Sequence, residues 1–172
     1  MGYELSKSLS YNAVEVETPL AKTNVDLLVE KPVLVTILRA AMPFFDGVLD
    51  FFEDSDVAFI GEYRQEGDEV SVKLEYIATP SIKNRTVIFI DPMLATGKSL
   101  IKAYNRLTTH ELPKEVHFLA AVAAPEGIDY IAAHLKMKHT IWTASLDEKL
   151  NEKSYIVPGL GDAGDLCFGE KL

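Results

Sequence analysis

Continuous apolar runs alternate along this chain with stripes at helical spacing. Lys31–Arg39 (KPVLVTILR), Val87–Ile90 and Val116–Ala124 are runs of valine, isoleucine, leucine, phenylalanine and alanine with little polar interruption. Such runs are the signature of strands covered on both faces of a parallel sheet. His139–Ala144 predicts a further strand that closes the sheet. Between these runs the apolar period changes to that of a helix. MPFFDGVLDFF predicts a helix with Pro43 in its first turn and Phe44, Val48, Phe51 and Phe52 turned inward. KSLIKAYNRL places Leu100, Ala103, Tyr104 and Leu107 on one face, and PEGIDYIAAHL opens a helix with Pro125 and Glu126. Val57–Tyr63 and Val70–Ile77 read as a hairpin, about 57–77, across the polar turn Gln65–Glu69. Near the start, Leu5 and Leu9 share a helical face, and Val14–Glu17 alternates like a short strand that stops at Pro19.

The resulting order, β-α-β-β-β-α-β-α-β, predicts an α/β fold: one domain over 1–172 built on an open, mostly parallel twisted sheet with helices on both faces. The hairpin is an insertion in that series. The carboxy-terminal part, about 147–172, departs from it. In YIVPGLGDAGDLCFG the residues Gly159, Gly161, Gly164, Gly169 and Pro158 argue against regular structure. Tyr155, Ile156, Val157, Leu160 and Phe168 are too apolar for a disordered tail. The expectation is an ordered, irregular hood whose bare backbone meets a ligand or caps the sheet. Asp162 and Asp165 lie three apart within it, a spacing open to acid–base work, to a metal, or to plain turn formation beside glycine.

Chemistry concentrates in Thr86–Ser99, TVIFIDPMLATGKS. A buried strand runs into Asp91, a short loop of small and hydroxylated residues follows, and a helix begins near Gly97. Unpaired N–H groups at a helix N-terminus, with the hydroxyls of Thr96 and Ser99 beside them, suit a phosphate. The ATGKS tail suggests the G-x-x-x-x-G-K-[ST] loop of nucleoside triphosphatases, but Pro92 stands where that loop needs its first glycine, and a proline cannot make the wrap. An acid at a strand end followed by a T-G-x-S cradle instead resembles the loop with which phosphoribosyltransferases hold phosphoribosyl pyrophosphate (PRPP). An ordinary strand–turn–helix unit is the plain alternative. In an open α/β sheet, ligands collect at the carboxyl ends of the strands, which is where Arg39, Asp91 and Ala95–Ser99 are expected.

Composition narrows the classes further. With 48% hydrophobic and 25% charged residues over 172 positions, the balance is that of a globular domain able to bury a core. A net charge of −9 disfavours nucleic-acid tracking, and the four histidines do not cluster at metal-ligand spacing. No membrane span or secretory signal is read, and the single cysteine, Cys167, permits no internal disulfide, so a cytoplasmic location is expected.

Taken together, ILRA, DPMLATG, VAAPEGI, LDEKLNE and YIVPGLGDAGD resemble the uracil phosphoribosyltransferase family over about Val16 to Gly169. The resemblance implies a type I phosphoribosyltransferase fold that makes UMP and pyrophosphate from uracil and PRPP, with Mg²⁺. By position it assigns PRPP to Arg39, Arg64, Asp91, Pro92, Met93, Leu94, Ala95, Thr96, Gly97, Lys98, Ser99 and Asp162. Uracil is assigned to Ile156, Gly161, Asp162 and Ala163, and the catalytic roles to Asp91, Asp162 and Arg39. It implies no metal site made by the protein alone, Mg²⁺ being carried mainly by PRPP oxygens and water. It also implies a homodimer or higher homo-oligomer and, as in some members, GTP as an allosteric activator.

The sequence departs from the family pattern at Ala41 and Lys98, where glycines are usual, at Gln65, where an aspartate is common, and at Leu166, often an arginine. Its N-terminus reads as shortened. The competing reading from another class is a noncatalytic relative that binds PRPP or a nucleotide in regulation.

Overall fold

The computed structural model describes residues 1–65 and 71–170. The turn expected within Gln65–Glu69 falls largely outside the described residues.

The core of the fold is a sheet in the order β5-β4-β3-β6-β8, completed by β7 and β9, which both pair with β8. Its strands are β3 (Val33–Leu38), β4 (Asp56–Gln65), β5 (Ser71–Ala78), β6 (Thr86–Ile90), β7 (Met93–Leu94), β8 (Glu115–Ala123) and β9 (His139–Leu146). All neighbours are parallel except β4 and β5, the expected hairpin, whose register shifts at Gly61/Glu62. β6 pairs with β8 as far as Ile90↔Leu119; after the break at Asp91–Pro92, β7 rejoins the same strand at Met93↔Val122. The Pro92 carbonyl spans the break by accepting from the N–H groups of Ala121 (3.1 Å) and Val122 (3.0 Å).

Side-chain alternation along the central strands divides the core in two. Val33, Val35, Ile37, Val87 and Phe89 face Leu100, Ala103, Tyr104 and Leu107 of α3 (Lys98–Leu107) and Ile131 of α4 (Pro125–His134). Leu34, Ile88 and Ile90 face Phe45, Val48 and Phe52, at the end of α2 (Met42–Phe51), and Leu5 of α1 (Gly2–Ser6). The expected α3 face is the observed one. On α2 Val48 and Phe52 are buried as expected, but Phe45 is buried in place of Phe44, which is half-buried, and Phe51 is 45% exposed. Phe51 lies on the helix margin, edge-on to Phe52 at 4.9 Å between ring centres.

The chain goes from β3 outward to β4 on one side, then returns to β6 on the other. β3 and β6 therefore flank a topological switch point, the place where an open sheet leaves a crevice at its strand ends.

Two further elements differ from expectation. The short strand expected at Val14–Glu17 is β1 (Tyr11–Glu17), half of an antiparallel ribbon with β2 (Lys22–Leu28). The carboxy-terminal segment, expected to exclude regular structure, forms β10 (Lys149–Leu150), β11 (Ile156–Val157) and the short helix α5 (Ala163–Phe168). The Asp162 side chain starts that helix by accepting the Asp165 N–H at 3.0 Å, a cap strong enough to overcome the nearby glycines.

Candidate active site

One cleft opens at the carboxyl ends of β3 and β6, lined by three separate stretches of chain: Ile37–Ala40, Asp91–Gly97 with Ser99 and Leu100, and residues of the carboxy-terminal hood.

The floor is the loop after β6. Asp91 is tied to the sheet by its N–H, which donates to the Leu119 carbonyl at 3.1 Å. Its carboxylate accepts the Met93 N–H at 3.2 Å, closing the turn that carries the chain into β7. Gly97 then adopts φ +72°, the left-handed conformation that glycine takes without strain, and α3 starts from it with no side-chain cap. The first N–H groups of a ten-residue helix are thereby left without intrahelical partners beside Thr96 and Ser99. Lys98 does not line the cleft: its side chain is exposed, and its N–H donates to the Thr96 hydroxyl at 3.4 Å.

This floor rests on the first turn of α4. A Cβ at Gly97 would meet the Gly127 carbonyl oxygen at 2.7 Å, and a Cβ at Gly127 would collide with the Ala95 carbonyl. The two backbones touch because neither residue has a side chain. Sequence reading passed over Gly127; a glycine in the first turn of a helix, where a better helix former costs less, was the available signal.

The wall is the turn after β3. Arg39 donates from Nη2 to Asp165 Oδ1 at 3.1 Å and to the Gly169 carbonyl at 2.7 Å. Its Nε is buried with no hydrogen-bond partner among the described residues, and its guanidinium lies 5.8 Å from the Phe168 ring centre. The Leu38–Arg39 peptide is cis. Ala41 sits at φ −75° in the ordinary helical region, fully buried, so this position accepts a Cβ where the family has glycine. Arg64 is carried on β4, where it pairs with Val72; its side chain lies outside the described residues.

The roof is the hood. Ile156 is buried, and Gly161, Asp162, Ala163 and Gly164 line the cleft with Ser154 and Tyr155. Acidic and amide side chains hold the hood in shape by accepting from its backbone. Asp147 Oδ2 takes the Gly159 N–H at 2.8 Å, Asn151 Oδ1 takes those of Lys153 and Tyr155, and Glu126 Oε1 takes that of Leu150 at 2.9 Å. The Leu150 hydrogen bond holds the Glu126 carboxyl below its ordinary value. Asp147 and Asn151 belong to LDEKLNE, and Glu126 to the segment that opens α4; the sequence marked both stretches without giving these residues a task.

The structure thus brings together Arg39, Asp91–Gly97, Ser99, Ile156, Gly161, Asp162 and Ala163 and places the Lys98 side chain outside their cleft. Comparison with known proteins bears on what such a cleft is for. The family model for uracil phosphoribosyltransferase matches residues 1–170. The chain belongs to the uracil phosphoribosyltransferase family. A uracil phosphoribosyltransferase of Porphyromonas gingivalis is 44% identical over 174 residues, spanning 100% of this chain and 81% of that protein. One from Pyrococcus furiosus is 39% identical over 175 residues, spanning 100% of this chain and 75% of its own. Among solved structures, the AQ2163 protein of Aquifex aeolicus superposes with a TM-score of 0.89 at 36% identity, over 98% of this chain and 80% of that one. A purine phosphoribosyltransferase from Pyrococcus horikoshii, at 14% identity and TM-score 0.53 over 68% of this chain and 71% of its own, shares the fold.

Proposed function

We propose that the chain transfers the phosphoribosyl group of PRPP to N1 of uracil, giving UMP and pyrophosphate. The observation that carries this is the meeting of the DPMLATG floor and the YIVPGLGDAGD roof in one cleft, with Arg39 on the wall between them.

In this reading the N–H groups of Thr96, Gly97 and Ser99, with the Thr96 and Ser99 hydroxyls, hold the 5′-phosphate, and the Lys98 N–H, which donates to the Thr96 hydroxyl at 3.4 Å, fixes that hydroxyl beside them. Asp91 faces the ribose hydroxyls, and Pro92, Met93 and Leu94 fix the loop's course. Uracil offers two carbonyl acceptors and one N–H donor, a pattern that the backbone of Ile156, Gly161, Asp162 and Ala163 can match. Cytosine reverses part of that pattern and leaves buried groups unpaired, which is the basis of discrimination. The bond from C1′ to the pyrophosphate oxygen breaks as the bond from C1′ to N1 forms. Negative charge grows on the leaving pyrophosphate, where Arg39 and Arg64 stabilise it. The N1 proton of uracil passes to Asp162.

Asp91 and Asp162 line the cleft, while no group of three or more metal-ligating side chains occurs among the described residues. That donor set fits an ion that keeps waters and substrate oxygens, as Mg²⁺ does. Bound with PRPP near Asp91 and Asp162, Mg²⁺ supplies charge neutralisation at the pyrophosphate.

We further place the whole of 1–172 as one catalytic domain working in the cytoplasm as a homo-oligomer, with GTP as an activator on the family resemblance. No helix among the described residues is long and apolar enough to cross a membrane. Support for the oligomer comes from the β1–β2 ribbon. Val14↔Val25, Val16↔Thr23 and Asn12↔Leu27 share one face, and Val14, Val25 and Leu27 are 40%, 38% and 51% exposed. A two-stranded ribbon is marginal by itself, and this face suits a second copy.

The deciding experiment is conversion of radiolabelled uracil to UMP with PRPP and Mg²⁺, with cytosine and hypoxanthine as controls and GTP as an added arm. UMP from uracil alone supports the reading. Product from hypoxanthine, or PRPP binding without any turnover, overturns it.

A further inference from the structure

Asp165 has no part in the reading above, yet among the described residues it is the carboxylate that pairs with Arg39. The two residues are 126 positions apart and meet because α5 packs onto the turn after β3. The packing is close: a Cβ built at Gly164 would lie 3.5 Å from the Ala40 Cβ and 3.1 Å from Asp162 Oδ1. Within α5, the Asp165 N–H is held by Asp162 while the Asp165 carboxylate reaches Arg39. The Gly169 carbonyl, at the end of the same helix, takes the same Nη2 of Arg39 at 2.7 Å. Both contacts therefore fall on one nitrogen. The buried Nε keeps its N–H without a partner among the described residues.

A guanidinium is a planar fork, so fixing one terminal nitrogen fixes the plane and the directions of the remaining N–H groups. We propose that Asp165 is a positioning residue for phosphoribosyl transfer: through Nη2 it orients Arg39 so that the remaining donors of the fork receive the departing pyrophosphate. This rests on the reading of Arg39 as the pyrophosphate-facing cation. It also joins the two halves of the site, since Asp162, on the base side, caps the helix whose first turn carries Asp165 to the arginine. Uracil contacts come from the hood backbone before Asp165, so loss of the Asp165 carboxylate acts on the PRPP side and leaves the base side unchanged.

The test is a cycle of Asp165→Asn, Arg39→Ala and the double variant in the full chain. It follows kcat, KM for each substrate, PRPP binding by calorimetry and Tm. The Asp165→Asn change should cost about 10-fold in kcat/KM for PRPP, the scale of a misplaced catalytic group, with KM for uracil within about 2-fold. Asp165→Glu should recover part of the loss. On the Arg39→Ala background Asp165→Asn should cost nothing further, because the group it orients is gone. An undiminished loss on that background, or a loss expressed as a lower Tm and a raised KM for uracil, would show that Asp165 merely builds the hood. If the wild type binds PRPP without making UMP, the functional reading fails, and the same cycle read in PRPP affinity still decides the role of Asp165. A wild type that does not bind PRPP overturns both.

Discussion

Gly127 lies under Ala95 so closely that a Cβ on the glycine would collide with the alanine carbonyl oxygen and stand 3.0 Å from that of Leu94. The phosphate-side loop cannot keep its course if α4 gains a methyl group there. Gly127→Ala should raise KM for PRPP about 10-fold by displacing the loop, and should cost roughly 1–3 kcal/mol of stability, the range for overpacking. Gly47→Ala is the control. Gly47 sits on an exposed turn of α2, and a Cβ there meets nothing within 4 Å. That variant should match or exceed wild-type Tm and keep wild-type kinetics. Equal KM for PRPP in the two variants would mean that the Gly127–Ala95 contact does not set the loop.

Asp91 and Arg39 stand at strand ends rather than in the core, so their loss should show in rate and not in folding. Asparagine at 91 keeps an oxygen for the Met93 N–H, which now binds Asp91 Oδ1 at 3.2 Å. Asp91→Asn and Arg39→Ala should each lower kcat about 100-fold or more, the scale of losing one preorganised electrostatic contact. Thermal melting should stay cooperative and near the wild-type Tm. A missing thermal transition in either would identify these side chains as structural.

The proposed reaction gives Asp162 two tasks, one of which asparagine can perform. As the first residue of α5 it accepts the Asp165 N–H, and asparagine caps a helix as well as aspartate does. As acceptor of the N1 proton it needs a carboxylate. Asp162→Asn should therefore keep its Tm and lose turnover. Unchanged kcat at every pH would remove Asp162 from proton transfer.

The central elements were readable because burial on both faces leaves an unbroken apolar record: Val33–Ile37, Val87–Ile90 and the α3 face are where the sequence pattern puts them. Asp91 and Arg39 were readable because a polar residue ending such a run has few places to go. The second strand of the ribbon, Lys22–Leu28, was not readable, since apart from half-buried Leu28 its residues are exposed and carry no burial alternation. The helix at Ala163–Phe168 was masked by glycines whose effect a single aspartate cap outweighs. Contacts such as Asp165 with Arg39, or Gly127 with Ala95, depend on how distant segments pack, and nothing local in the sequence encodes them. Phe44 and Phe51 fall together on the margin of the helix face that Phe45, Val48 and Phe52 bury, so sequence spacing alone did not separate Phe44 from Phe45.

The ribbon makes a quaternary prediction. Its apolar face, with Val25 paired to Val14 and Leu20 95% exposed near the tip, should be covered in solution by another copy of the chain. Light scattering should give at least a dimer for the wild type, and Val25→Asp should shift it to monomer while the Tm of the sheet domain is largely kept. A wild type that is monomeric at tens of micromolar would show that the ribbon stands alone.

Far from the cleft, at the amino ends of the strands, His117 is 4% exposed and accepts a hydrogen bond from Trp142 Nε1 to its Nδ1 at 3.1 Å. The neutral ring therefore carries its proton on Nε2, which has no hydrogen-bond partner among the described residues. Burial pushes the His117 ring below its ordinary value of 6.5; Glu115, 4.0 Å away, pulls the other way, and Lys138 adds to the depression. Since the folded ring resists protonation more than the unfolded one, the unfolded state binds more protons on acidification. The stabilising contribution is thus complete above about pH 6.5 and is lost as pH falls through the folded value. Glu115 acts in a lower window. Burial works against its charge, but the hydrogen bond and charge of Lys138, helped by His117 and Lys114, hold it below 4.5, so its contribution is lost only at still more acidic pH. Wild-type Tm should fall between pH 7 and pH 5, and His117→Gln, which keeps an acceptor for Trp142, should flatten that slope while leaving the decline below pH 4.5. A variant whose Tm follows the wild-type slope from pH 7 to pH 5 would show that His117 does not set the acid sensitivity of this fold.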